Sequence, residues 1–331
     1  SRRYQFRSLL RRSLHDRPSR WEKKRMKIYR LHLRPAGSVS KEETFEYCLK
    51  NKVLGVGWKI YPQQREADWD TFVELASKNH GNLNICRYMK NRIRPDDLIW
   101  TRDTFGQYYL ARVLSGWKYW MNEEAMERDI DIANVVEADI RKVATDEVPG
   151  KVVACFRATR ALQQVNDGTV REYSKFLWNE NSEQSVYSCS AEAELDIFSL
   201  LDSEEIEDLI FVYLQSQGWF VVPNSRKVDT MSFEFLLIHK SSKKKCWIQV
   251  KSGNTPLNCS GYIKLGFGVF LFQSKGIYHG DRDPNVEIMD KEELERFLRK
   301  SSEYLPAVFS KKLKMLNTMN TESQQDSGGN G

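Results

Sequence analysis

No run of about 18 consecutive apolar residues occurs in this 331-residue chain, so the sequence contains no membrane-spanning helix. The cysteines are few and scattered. Cys48, Cys86, Cys155, Cys189, Cys246 and Cys259 include no C-x-x-C pair, and a chain this long has no need of disulfide staples. Reduced thiols in the cytoplasm are the expected state. The five histidines stand at no metal-ligand spacing from one another or from a cysteine, which argues against a structural zinc site. What the chain does have is 40% hydrophobic and 12% aromatic residues, enough for two ordinary globular cores.

The net charge of +6 is unevenly placed. Residues 1–27 carry eleven Lys and Arg against Asp16 and Glu22, a local +9 that leaves −3 for the remainder. Any nucleic-acid surface on the folded part must therefore be a local patch. The arm at 1–25 reads as a disordered basic extension preceding a natural start at Met26, in preference to a targeting segment.

Past the arm, the pattern divides into two regions. From 26 to 165, "IYRLHL", "VLGVGW", "DDLIWTRDTFGQYYLARV" and "KVVACFRA" read as strands and "KEETFEYCLKN" as a short helix, which predicts a small, curved β-barrel. Residues 166–199 are polar and weakly periodic and read as a linker with room for a short helix. From 200 to 310, "SEEIEDLIFVYLQSQGW" spaces Ile206, Leu209, Ile210, Tyr213 and Leu214 as one helical stripe, with Ser203 as its cap and Gly218 as its end. "WFVVP", "FEFLLI", "CWIQVKSG" and "GVFLF" follow as strands and "DKEELERFLRKSS" as a closing helix, an α/β sandwich. The tail at 311–331 is expected to be disordered. The fold class is thus α+β in two domains.

Within "CWIQVKSG", strand alternation sends Ile248 and Val250 to one face and Trp247, Gln249 and Lys251 to the other. An amide and an ammonium then share a face about 7 Å apart. A phosphodiester hydrolase needs this kind of equipment: oxygen ligands for a divalent ion, and a cation to orient water and offset charge. Asp229 can supply a carboxylate, the Gln249 carbonyl and the next backbone carbonyl further oxygens, and Lys251 the ammonium. A solvated strand face is the competing reading. Asp229 and Glu234 are five apart and would face opposite ways on a regular strand, so either a bulge re-aims one or only one reaches the metal.

An acidic residue followed by a strand bearing Q-x-K resembles the PD-(D/E)XK nuclease superfamily, in its Mrr-like restriction endonuclease branch. The resemblance implies catalytic roles for Asp229, Glu234, Gln249, Lys251 and, from the preceding helix, Glu207. It also implies Mg²⁺ or Mn²⁺ held by Asp229 and Gln249. In the first region, "VLGVGWKI", "DDLIWTRDTFGQYYLARV", "GWKYW" and "VPGKVVACFRATRALQQV" resemble an EVE domain, a PUA-like β-barrel that binds modified nucleobases. A flipped base needs aromatic walls, edge readers and backbone cations. Trp58, Trp100, Trp117, Tyr119 and Trp120 are candidate walls, Arg102 and Asp103 candidate readers, and Arg157 and Arg160 candidate phosphate contacts. A core position competes for each tryptophan.

Together the two resemblances imply a modification-dependent, type IV-like restriction endonuclease acting against phage DNA. Its partner is double-stranded DNA carrying modified bases such as 5-methylcytosine. Since one such site cuts one strand, a homodimer is expected at least on DNA. The alternatives are a non-catalytic reader with a scaffold C-terminal domain and a structure-specific DNA repair nuclease.

Overall fold

The computed structural model describes residues 26–34, 38–189, 196–222 and 233–328. It is a mixed α+β fold, and among the described residues no sheet closes into a barrel. The first half holds β1 (Ile28–Leu31), α1 (Lys41–Asn51), β2 (Val53–Val56), β3 (Glu66–Ala67), α2 (Trp69–Asn79), α3 (Asn84–Arg92), β4 (Leu98–Arg102), β5 (Tyr108–Val113), β6 (Lys118–Trp120), α4 (Glu123–Glu127), β7 (Asn134–Val143), α5 (Gly150–Cys155) and β8 (Leu162–Gln164). Seven strands run in the order β3-β6-β7-β5-β4-β1-β8, with β2 paired separately to β7. The ladder thus stays open where a closed barrel was expected. Its end strands are only two and three residues long, and α2 and α3 close the core instead, burying Phe72, Ala76, Cys86 and Met89.

Local signals explain the elements. Ser40 and Glu43 form a reciprocal capping box that starts α1, and Lys52 turns left-handed to end it. β2 approaches β7 so closely that a Cβ on Gly55 would lie 2.3 Å from the Asn134 carbonyl oxygen, which explains the first glycine of "VLGVGW".

The second half holds α6 (Gly168–Glu180), α7 (Ile197–Leu200), α8 (Ser203–Ser216), β9 (Trp219–Val222), β10 (Phe235–His239), β11 (Lys245–Lys251), β12 (Leu257–Asn258), β13 (Gly268–Gln273), β14 (Tyr278–His279), β15 (Val286–Ile288), α9 (Lys291–Lys300) and α10 (Ala307–Gly328). The main sheet runs β15-β13-β11-β10-β9; β9, β10 and β11 are antiparallel, whereas β11, β13 and β15 are parallel. Cys246, Ile248 and Val250 face a helical layer, and Trp247 faces a smaller cluster with Leu257, Cys259, Tyr262 and Leu271. The alternation read from "CWIQVKSG" is therefore present.

Four further expectations change. "KVVACFRA", expected as a strand, instead forms the helix α5, which begins straight after Pro149 and buries Val152. The expected linker contains α6, a 13-residue helix that buries Val170, Tyr173, Phe176, Leu177 and Trp178; polar residues between these positions blur its period. The expected disordered tail forms α10, anchored by Met315, Leu316 and Met319. α8 begins one residue earlier than its sequence suggests, because Asp202, not Ser203, caps it and Glu205 reaches back to complete a capping box. The arm at 1–25 lies outside the described residues.

One hydrophobic core joins the halves. Ile28, Leu98, Trp100 and Tyr108 belong to the same cluster as the buried faces of α6, α8 and α10 and the Ile248 face of β11. Inside it, Lys312 of α10 is fully buried and donates to Glu205 Oε2 at 2.5 Å and to the Leu200 carbonyl at 2.8 Å.

Candidate functional site

On β11, Gln249 is 8% exposed, and its Oε1 accepts a 2.9 Å hydrogen bond from the Tyr262 hydroxyl. Burial raises the pKa of Tyr262, so the hydroxyl stays a neutral donor and fixes the amide with its carbonyl in place. Glu234 is buried just before β10, and its backbone N–H donates to the Ile248 carbonyl at 2.8 Å. Phe235 pairs with Ile248, which sets Glu234 beside Gln249 across the antiparallel ladder. Lys251 ends the strand half-buried, paired with Gln273. The structure thus brings Glu234, Gln249 and Lys251 to one strand pair.

Gln273, which the sequence did not single out, holds this end of the sheet. Its amide donates to the carbonyls of Gly253 and Thr255, and its carbonyl accepts from the N–H groups of Lys275 and Ile277, so it fastens the exits of both β11 and β13. Beyond Lys251, Ser252 and Gly253 line a cavity of about 630 Å³ with Ser274, Lys275 and Lys151. Crevices at the carboxyl ends of parallel strands are common ligand sites.

The donors here are oxygens, which suits a hard divalent cation, and Gln249 Oε1 has a second lone pair beyond its bond to Tyr262. Glu234 and Gln249 would hold such an ion. Among the described residues no group of three His, Cys, Asp or Glu gathers as a metal cluster, and Asp229 lies outside those residues. Glu207 is not brought to this face. It stands on α8, which packs on the Ile248 side, and lines a separate cavity of about 450 Å³ with Asp146, Arg157 and Phe235.

A cleft of about 970 Å³ lies in the first half between α3 and the outer edge of β8. Trp58 and Tyr88 supply aromatic surface, Asn82 and Gln163 amides, and Arg92 and Arg160 cations. Trp58 adopts φ +66, a left-handed conformation uncommon for a bulky residue and costing on the order of 1–3 kcal/mol. Its neighbours enforce this: Asn134 Nδ2 donates to the Gly57 carbonyl at 2.6 Å, and the Lys59 N–H donates to Asp131 at 3.1 Å. Gln163 is oriented by Arg30, a fully buried side chain that donates to Gln163 Oε1 at 2.9 Å and also bonds the Arg160 carbonyl. A guanidinium can only donate, so the Gln163 carbonyl must face it and the amide retains its donors for the cleft.

Of the expected base-site residues, the cleft gathers Trp58 and Arg160. Trp100 is wholly buried, its indole N–H on Ser174 Oγ at 3.1 Å, and Tyr119 is core, its hydroxyl accepting from Ile60 N. Trp117 packs edge-on against Trp69 at 5.0 Å, and Trp120 joins the same half-buried layer. Arg102 and Asp103 stand at the β4–β5 hairpin, where Asp103 Oδ1 accepts from the Phe105 and Gln107 N–H groups. Arg157 is exposed, 3.8 Å from Glu204. Tyr88, Asn82 and Gln163 went unread; "HGNLN" between two helices and the paired amides of "LQQ" were their only signals. No protein-family model, curated protein or solved structure matches this chain.

Proposed function

We propose that the protein is a modification-dependent DNA endonuclease, with an EVE-like base-reading half and a PD-(D/E)XK-like hydrolytic half. The observation that carries the reading is the polar face of β11, where Gln249 is held by Tyr262 beside Glu234, with Lys251 two residues on. Buried polar groups gathered on a sheet face carry a desolvation cost that a structural strand has no reason to bear. When bound, a divalent ion supplies Lewis acidity at the scissile phosphate. Lys251 orients the attacking water and offsets charge on the phosphate, while Tyr262 keeps the Gln249 carbonyl aimed. In the other half, Trp58 stacks on an extruded base, Gln163 donates to its edge, and Arg160 and Arg92 meet the flanking phosphates. A second copy of the chain cuts the opposite strand.

The test is cleavage of plasmids carrying unmodified, 5-methylated, 5-hydroxymethylated or glucosylated cytosine. Cutting should need a modified base and Mg²⁺ or Mn²⁺, stop in chelator, and fall by about 10² or more in Lys251→Ala. That variant should still bind modified DNA and melt as wild type. Equal cutting of unmodified plasmid refutes the reader. Near wild-type cutting by Lys251→Ala refutes the hydrolytic site. Modified-DNA binding without cutting under any divalent ion makes the chain a non-catalytic reader.

A further inference from the structure

The tip of the β4–β5 hairpin presents Phe105 with 86% of its surface exposed. Its turn is not loose. Asp103 Oδ1 accepts from the N–H groups of both Phe105 and Gln107, and Gly106 adopts φ +87 to close the turn. A large apolar ring on a braced, convex turn costs solvation and contributes nothing to the core.

Strand register says what lies beside it. Thr101, Leu31 and Leu162 form one row across β4, β1 and β8. β1 and β4 are parallel and β8 is antiparallel, so the chain beyond Thr101 and the chain before Leu162 leave the sheet at the same end. Phe105 and Arg160, the rim of the large cleft, therefore project from one end of the sheet. Two strand spacings, about 10 Å, separate their strands. That is within the width of one major groove, about 12 Å.

This end is also cationic. Arg34 and Arg160 are exposed, and Arg102 lies half-buried with its guanidinium 4.9 Å from the Phe156 ring. His32, half-buried among them, has its pKa pushed down to about 4, first by burial and then by Arg30, Arg34 and Arg102.

We infer that Phe105 is a wedge that enters the DNA base stack where a nucleotide has been drawn into the Trp58 cleft, with the arginines around it holding the flanking phosphates. The inference rests on the base-reading function proposed above. A flipped nucleotide leaves a gap whose exposed neighbours lose stacking, and an apolar side chain inserted there recovers part of that loss.

The wedge matters only where there is a stack to open. The full-length protein would be titrated, without divalent ions, against a duplex and the matching single strand, each bearing one modified cytosine from the panel above. 2-Aminopurine beside the target base would report unstacking. Phe105→Ala should bind the duplex about tenfold more weakly and lose the fluorescence rise, keep wild-type affinity for the single strand, and be rescued by Phe105→Trp. Wild-type duplex binding by Phe105→Ala overturns the wedge and leaves the reader standing. Equal losses on duplex and single strand also overturn it, since Phe105 would then be an ordinary contact. If the wild type shows no preference for any modified cytosine in either form, the reader and the wedge fall together. Phe105 touches no core residue cluster, so the variant's melting temperature should match wild type.

Discussion

Replacing Lys312 by methionine should cost the fold about 3–5 kcal/mol at slightly alkaline pH, because it removes one partner of a fully buried ion pair. The structure leaves little to compensate. Lys312 and Glu205 have side-chain exposures of 0% and 2%, and the other charge acting on Glu205 is the carboxylate of Asp202, which is repulsive. Burial already raises the Glu205 pKa to about 7, although Lys312 pulls it down. Without Lys312 it must rise further. A glutamate in the unfolded chain titrates near 4.3. Between that value and the raised folded value the native state binds the extra proton, so stability falls as pH rises. In wild type this decline should level off above about pH 7; in Lys312→Met the decline should extend to higher pH. Urea denaturation at pH 5.5 and 8.5 measures the difference. The variant should sit closest to wild type at pH 5.5 and be most destabilised at pH 8.5. Glu205→Gln combined with Lys312→Met should recover most of the loss, since neither member of the pair then carries a charge that lacks its partner. A loss below about 1 kcal/mol at pH 8.5, or one that does not grow with pH, would refute the pairing argument.

Two further outcomes are expected. Trp58→Ala should weaken binding of modified DNA by about tenfold or more, as base–aromatic stacking is lost, while the left-handed backbone held by Asn134 and Asp131 persists; unchanged affinity in filter binding would remove Trp58 from the cleft's function. Ending the chain after Pro306 deletes Val308, Phe309, Met315, Leu316 and Met319 from the shared core, each contributing about 1.5–3 kcal/mol on burial. That sum rivals the whole stability of a domain, so the shortened protein should fail to melt cooperatively in calorimetry.

The sequence was most readable where a single period decides the structure. The strand at 245–251 alternates cleanly, and the helix at 203–216 carries one apolar stripe, so both were found with their faces. The face of a tryptophan cannot be read that way. Trp58 and Trp100 sit in similar strand-like contexts, but one is turned out by a left-handed backbone held by Asn134 and Asp131, and the other is covered by α6. Both causes are distant in sequence. α10 escaped for a different reason: its buried stripe includes a lysine and methionines, and Lys312 is acceptable inside only because Glu205, more than a hundred residues earlier, meets it. The cleft amides were silent because Arg30, one residue of the alternating strand "IYRLHL", is the buried group that gives Gln163 its orientation.

The core that runs from β1 through α6 to β11 also governs how the two halves could act on one DNA molecule. An enzyme whose reader and nuclease are joined by a slack tether scatters its cuts over the reach of that tether. Here Trp100 is bonded to Ser174 on α6, and α6 packs in the same core as the Ile248 side of β11, so an endonuclease of the kind proposed would act as a ruler. With the base held at Trp58 and the phosphate at Lys251, end-labelled products should collect at one spacing from the modified base.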